Sequence, residues 1–245
     1  VVLVRVEIAV QDPVGARIAA DAGADRVELC AALAATGGLT PSLSVVSACA
    51  RVIESHVLVR LRPGGFVYSE EEISLMCADI RSVVAAGAAG VVVGAATRDG
   101  KLDEVALAQL IDAAHGVDVT VHRVFDTVED QFFALDTCAR LGVRRVLTSA
   151  GGACAADEAA GLTALVRHAS GVEIMAGGGV NPHNVDHVKG IGLAAVHGSC
   201  STFIDCGPTG PGGKSRDQAV NTADAVQITH PGAVAALVAK VRAWG

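Results

Sequence analysis

The sequence predicts a single-domain (β/α)8 barrel, and three observations carry that reading. Its 245 residues match the roughly 250 that one such barrel commonly fills. Short β-branched runs alternate with amphipathic stretches from one end to the other. The starts of those runs recur every 22–33 residues, the span of one strand, its helix and their loops in a closed parallel sheet. Hydrophobic residues make up 51% of the chain and aromatic ones only 3%, so Ala, Val and Leu must fill the core through many small contacts.

The eight strands are expected at 2–10, 25–30, 57–62, 90–95, 118–124, 144–149, 172–176 and 194–199. Helix signals lie between them. Ser69 followed by three glutamates forms a capping-box pattern that opens an apolar-periodic stretch through Val84. Asn181-Pro182 places a cap residue and a proline at another helix start. Gly23 and Gly87 sit where a helix would end before the next strand. A terminal helix over 231–244 carries Val234, Leu237, Val238, Val241 and Trp244 at helical spacing. Ahead of it, 201–229 reads as a long Gly- and Pro-punctuated loop, or as an arm over the barrel face or a neighbouring subunit. No second domain or linker is visible, so residues 1–245 form one domain, ending in the arm and a helix over 230–245.

Composition narrows the function. A net charge of −7 and a pI near 5.6 disfavour nucleic acid, because the densest basic pair is only Arg144-Arg145. No apolar run approaches the roughly 20 residues of a membrane span, and the first ten residues lack a signal-peptide pattern. The seven cysteines are odd in number and show no C-x-x-C spacing, which argues against a disulfide framework or structural zinc. These features predict a cytoplasmic protein.

In a (β/α)8 barrel the functional face lies at the C-terminal strand ends, so polar residues in the strands are the informative ones. Glu7, Glu28, Arg60, Arg62, His122, Arg123, Asp126 and His197 all fall in or just after predicted strands. Period-two alternation puts Glu7 with Ala9, Glu28 with Cys30, and Arg60 with Arg62 on common faces. If Glu7, Glu28 and Arg60 point inward they should pair, with Arg62, held extended by Pro63, at the rim and better placed to meet a ligand. His122, Arg123 and Asp126 form a compact group suited to acid–base work and anion binding. Either cluster could equally be a buried ion network or a satisfied core histidine beside a surface pair. Gly177, Gly178 and Gly179 after the seventh strand, with Gly198 and Ser199 ending the eighth, suit an anion held by backbone N–H groups; a ligand-free tight turn fits them too. The lysines lie off the strands, which disfavours a Schiff-base aldolase, and no G-x-S-x-G elbow is present. Glu7 and Glu28 could form a glycosidase pair, but nearby arginines favour charge compensation.

At these same residues the chain resembles the CutC family of copper-homeostasis barrels. The matching segments are GADRVELC at 23–30, GGLTPS at 37–42, Arg62-Pro63, VYS at 67–69, VHRVFD at 121–126, LTS at 147–149, GGGV at 177–180 and VHGS at 196–199. The resemblance implies a cytoplasmic, homo-oligomeric barrel tied to copper tolerance, with Cys30 as the candidate anchor for copper(I). It also marks two departures. Ala9 stands where the family usually has a second cysteine, and soft Cu(I) favours paired sulfur ligands; Met175 and Cys200 are the remaining sulfur candidates. The loop Arg-Pro-Gly-Gly-Phe at 62–66 lacks the additional arginine and aspartate of the family's longer version. Two ligands therefore stand as expectations, a copper ion or a small anionic metabolite, the second handled enzymatically. A scaffold acting through the 201–229 arm is the third reading.

Overall fold

A computed structural model describes residues 3–205 and 225–245. Eight parallel strands close into a barrel in sequence order: β1 (Arg5–Val10), β2 (Arg26–Leu29), β3 (Ser55–Leu58), β4 (Gly90–Val93), β5 (Asp118–Val121), β6 (Arg145–Thr148), β7 (Glu173–Ala176) and β8 (Ala195–Gly198). The helices are α1 (Pro13–Asp21), α2 (Leu33–Thr36), α3 (Leu43–Ala50), α4 (Glu70–Ala85), α5 (Glu104–Ala113), α6 (Gln131–Leu141), α7 (Ala159–His168) and α8 (Pro231–Arg242). The expected capping box starts α4, where Ser69 Oγ accepts from Glu72 N and the Glu72 carboxylate accepts from Ser69 N. In α8, Val234, Leu237, Val238 and Val241 are buried as the spacing required.

Three elements differ from expectation. β3 lies two residues earlier than predicted and stops at Leu58, because Ser55 and His56 are polar yet buried in the sheet. After β5 the chain turns into a 3-10 helix over Arg123–Thr127 instead of extending to 124. No α-helix starts at Asn181. Its side-chain Oδ1 accepts from His183 N while Asn184 Oδ1 accepts from Asn181 N, so the side chains close local turns, and a 3-10 turn, Val185–Val188, follows.

The predicted 201–229 loop is bounded by a hairpin. β9 (Ser201–Asp205) and β10 (Ala225–Thr229) pair antiparallel, with Ser201 opposite Thr229. The centre of the arm, 206–224, lies outside the described residues. Gln227 Nε2 donates to Ser201 Oγ at 2.7 Å, and His230 N donates to Cys200 O at 2.8 Å, tying β10 and the start of α8 to the exit of β8.

Alternation divides each strand between two environments. Val6, Ile8, Val10, Val27 and Leu29 face the helices in the main apolar shell. The facing-in set contains small apolar groups such as Leu147, Met175 and Ala195, together with buried Glu7, Arg26, Glu28, His56 and Arg145. Register explains how those charges are tolerated. Glu7 lies opposite Arg26 on β2 and opposite His197 on β8. Arg26 Nε donates to Glu7 Oε2 at 2.5 Å. Lower in the barrel, Arg145 reaches Glu173 at 2.7 Å and Thr120 Oγ1 at 3.2 Å. The countercharge to Glu7 is therefore Arg26 rather than Arg60.

Removing one partner of a buried pair leaves the other uncompensated, at a cost of about 3–5 kcal/mol. Arg26→Met should lose that much unfolding free energy in urea titrations at neutral pH. The double variant with Glu7→Gln should recover most of it. A single-variant loss under about 1 kcal/mol would show that Arg26 is dispensable to the interior.

Candidate functional site at the barrel mouth

A cavity of about 840 Å³ opens at the C-terminal ends of the strands. Its floor and walls come from separate strands: Glu28 from β2, Arg60 just beyond β3, His122 and Arg123 after β5, and His197 from β8. Gly178 and Gly179 from the loop after β7, Gly198 at the end of β8 and Ser199 just beyond it complete part of the wall, with His230 and Gly232 at the start of α8.

Glu28 joins a chain of interactions that begins deep in the barrel. Arg26 holds one oxygen of Glu7, His197 Nδ1 lies 2.8 Å from the other, and His197 Nε2 lies 3.5 Å from Glu28 Oε2. Burial opposes ionisation of Glu7, but the His197 hydrogen bond and the Arg26 charge outweigh it and hold its carboxyl well below the usual range. Burial also disfavours a charged His197, yet its bond to Glu7 and the nearby Glu28 carboxylate raise its pKa overall. Burial pushes Glu28 up to about 7, with Glu7 adding to the rise and His197 opposing it. A carboxyl poised near neutrality beside a coupled imidazole can both take and return a proton.

Arg60 is 7% exposed and bonds only to carbonyl oxygens, at Thr36 (2.9 Å), Gly38 (3.1 Å) and Gly64 (2.7 Å). Among the described residues no carboxylate pairs with it, so its charge stays available to an anion. His122 packs against Phe66 with ring centroids 4.8 Å apart and planes tilted by 46°. Burial and the Arg60 charge push its pKa down to about 3, so the ring is neutral.

The structure separates the remaining predicted residues. Arg62 is not at the cavity: the strand ends before it, parity no longer applies, and its guanidinium pairs with Glu72 and bonds the carbonyls of Gly65 and Val67. Asp126 is turned away from His122 by the 3-10 helix. It pairs with Arg123 at 2.8 Å and accepts from Ser149 N and Oγ, pinning the β6 exit instead of forming a His–Asp couple. Glu7 lies beneath the cavity rather than on its wall. Gly177 also sits below the wall, packed so closely that a Cβ would meet Leu147 at 2.4 Å. Gly178, at φ +105°, passes under the Arg123 guanidinium, where a Cβ would come within 2.9 Å.

Arg26, Arg145 and His56 escaped the sequence reading. Arg26 lies two residues before Glu28 and therefore on the same face, a signal that was present. Arg145 likewise alternates with Leu147. His183 reaches the cavity from a loop and His230 from the N-cap of α8, and neither carries a periodic signal.

The CutC family model matches residues 4–202. The chain belongs to the CutC family. It is 42% identical over 202 residues to a CutC family protein of Sinorhizobium medicae, covering 81% of this chain and 82% of that one. It is 39% identical over 189 residues to the human copper homeostasis protein cutC homolog, covering 76% and 69%. A solved CutC structure from Streptococcus agalactiae superposes with a TM-score of 0.76 at 30% identity, covering 80% of this chain and 98% of that one. The family's (β/α)8 architecture is thus shared by this chain.

Copper ligation finds little support in this CutC chain's own sulfur. Cys30 is fully buried against Leu58 and Val92, and its Sγ donates to Val10 O at 3.7 Å. Burial and the Glu28 charge raise its pKa well above the ordinary thiol value, whereas a metal needs the thiolate. Met175 Sδ already accepts from Arg26 Nη2 at 3.4 Å. Among the described residues no group of three His, Cys, Asp or Glu side chains converges as a metal site. The donor set does not fit a Cu(I) centre at Cys30.

The Glu28 shift carries a stability consequence. Its folded pKa lies above the unfolded value of 4.5, so its proton stabilises the fold below that pH and the contribution is lost as pH rises toward 7. Glu28→Gln, which cannot ionise, should therefore be more stable than the parent at pH 8, by about 3 kcal/mol at 1.4 kcal/mol per pKa unit. Denaturation series at pH 4.5 and pH 8 should show the difference shrinking toward zero at the lower pH. A constant difference would exclude Glu28 titration as its source.

Proposed function

We propose that this CutC chain is an acid–base enzyme for a small organic anion, and that a role in copper homeostasis, as the human relative's name describes, is exercised through that chemistry rather than by holding the metal at Cys30. One observation carries the reading: Glu28, ionising near neutrality, lies on the floor of the cavity and is coupled through His197 to the Glu7–Arg26 pair. In a purely structural ion network the charged ends would be closed off; here Glu28 is part of a cavity wall.

Arg60 supplies the attraction for the anion, because its bonds to carbonyls leave its positive charge uncompensated. Arg123, Gly178, Gly179, Gly198 and Ser199 offer further donors and room at the same wall. Glu28 takes a proton from the bound molecule, and His197, oriented by Glu7, stabilises the charge change and sets the direction of return. A volume of about 840 Å³ accommodates a small metabolite. The reading retains the cytoplasmic, homo-oligomeric protein expected from the sequence. Phe203 and Ile204, 51% and 42% exposed on the hairpin, support contact with another copy.

Thermal-shift titration against phosphorylated and carboxylated metabolites should find stabilising anions. Their affinity should fall about tenfold or more in Arg60→Gln, the usual cost of losing a charged hydrogen bond, and stay unchanged in Arg62→Gln. Anaerobic Cu(I) titration against a competing chelator should give the same curve for Cys30→Ser as for the parent. Silence across the anions, together with tight Cu(I) binding abolished by Cys30→Ser, would reverse the assignment.

A further inference from the structure

The His122 ring is held in one orientation by three independent contacts. Val124 N donates to its Nδ1 at 3.0 Å. Phe66 packs against it with its ring tilted by 46°. Gly94 lies so close that an added Cβ would sit 2.4 Å from the ring's Cε1, so the absence of a side chain at 94 is what makes room for the imidazole. A ring nitrogen that accepts from a backbone N–H carries no proton itself. The proton of the neutral ring is therefore on Nε2.

That Nε2–H is buried with no hydrogen-bond partner among the described residues, and His122, 6% exposed, is one of the residues lining the cavity. An unpaired buried donor costs on the order of 1–3 kcal/mol, and such groups recur at sites that a ligand completes. The ring has no second acceptor role to play, since Nδ1 is already used. Arg60, on the same wall, suppresses protonation. The imidazole is thus fixed as a neutral donor, a state suited to an oxygen that gains negative charge, because it stabilises that charge without locking it into a permanent ion pair.

We propose that His122 Nε2–H is the electrophile that polarises a substrate carbonyl, making the bound molecule a carbonyl-bearing organic anion and the reaction a proton transfer at the carbon next to that carbonyl. The inference rests on the acid–base reading above and gives it a substrate class. In the step, the C–H bond breaks and its proton bonds to the Glu28 carboxylate. The freed electron pair forms the carbon–carbon double bond, and the carbonyl π pair moves onto oxygen, where the Nε2–H bond meets it. Return of the proton to carbon reverses the step and needs no other reactant. Phe66, packed against the ring, must shift enough to admit the oxygen.

The test compares two enolate mimics with their carbonyl parents: oxalate with pyruvate, for a carboxylate anion, and phosphoglycolohydroxamate with dihydroxyacetone phosphate, for a phosphate anion. Calorimetry on the full chain should show at least one mimic binding tenfold or more tightly than its parent. The preference should vanish in His122→Phe and return in part in His122→Gln, which restores an N–H donor. Nitrogen-15 NMR of the unaltered protein reads the same claim without any variant. It should show the proton on Nε2 of His122 at neutral pH and a shift of that signal on adding the mimic. A proton on Nδ1, no preference for either mimic, or a preference that survives His122→Phe overturns the inference. If pyruvate or dihydroxyacetone phosphate still binds in an Arg60-dependent way, the acid–base reading stands; loss of all anion binding removes both.

Discussion

One buried carboxylate organises the inside of this barrel. Glu7 is ionised in the middle of a sheet, where a lone charge would be prohibitively unfavourable, and it survives because a partner stands on each side. Arg26 comes from the neighbouring strand and His197 from the last. The second partner exists only because β8 closes onto β1, so sheet closure and charge neutralisation are one condition. The same arrangement hands a partial charge upward from His197 to Glu28. Folding energetics and the acid–base character of the mouth are thereby linked through a single side chain.

The strands were legible because period-two patterning survives wherever one face packs on helices, as Val6, Ile8 and Val10 do in β1. The capping box at Ser69 and the apolar stripe of α8 are local signals, and both appear in the structure. The interior was only half legible. Alternation shows which residues share a face, but the partner of Glu7 depends on register between strands, which no local pattern encodes. Alternation alone therefore groups Glu7 with Arg60, whereas register pairs it with Arg26. Arg62 fails for a related reason: counting by twos has meaning only inside a strand, and this strand stops at Leu58. Asp126 is separated from His122 by a turn of 3-10 helix that the β-branched composition of 118–124 conceals. His183 arrives from a loop and His230 from the N-cap of α8, and neither position carries a periodic signal that points it at the cavity.

Family membership and metal chemistry part company in this chain. The CutC match spans the whole barrel, yet Cys30 is an inaccessible thiol packed against Leu58 and Val92, and Cys200, which lines the cavity, has its pKa pushed up to about 11 by burial. The polar groups at the mouth tell a more consistent story. An unneutralised guanidinium, a neutral imidazole with its proton assigned by the backbone, and a carboxyl tuned by burial each require a separate arrangement, and all three lie on one wall system. Such tuning has a cost in stability, as Glu28 illustrates, and it is tolerated in a core otherwise built from small, closely fitted side chains.

The hairpin has a mechanical consequence. β10 ends at Thr229, one residue before His230 begins the cavity wall and caps α8. Thr229 also sits against Gly15, where an added Cβ would come 2.5 Å from its hydroxyl, so the strand's base is wedged against α1 and has little slack. The exposed side chains of Phe203, Ile204 and Val226 thus sit on strands joined through Thr229 directly to the histidine and first turn of the final helix. Whatever binds the hairpin face is therefore only one residue of backbone away from the wall of the cavity.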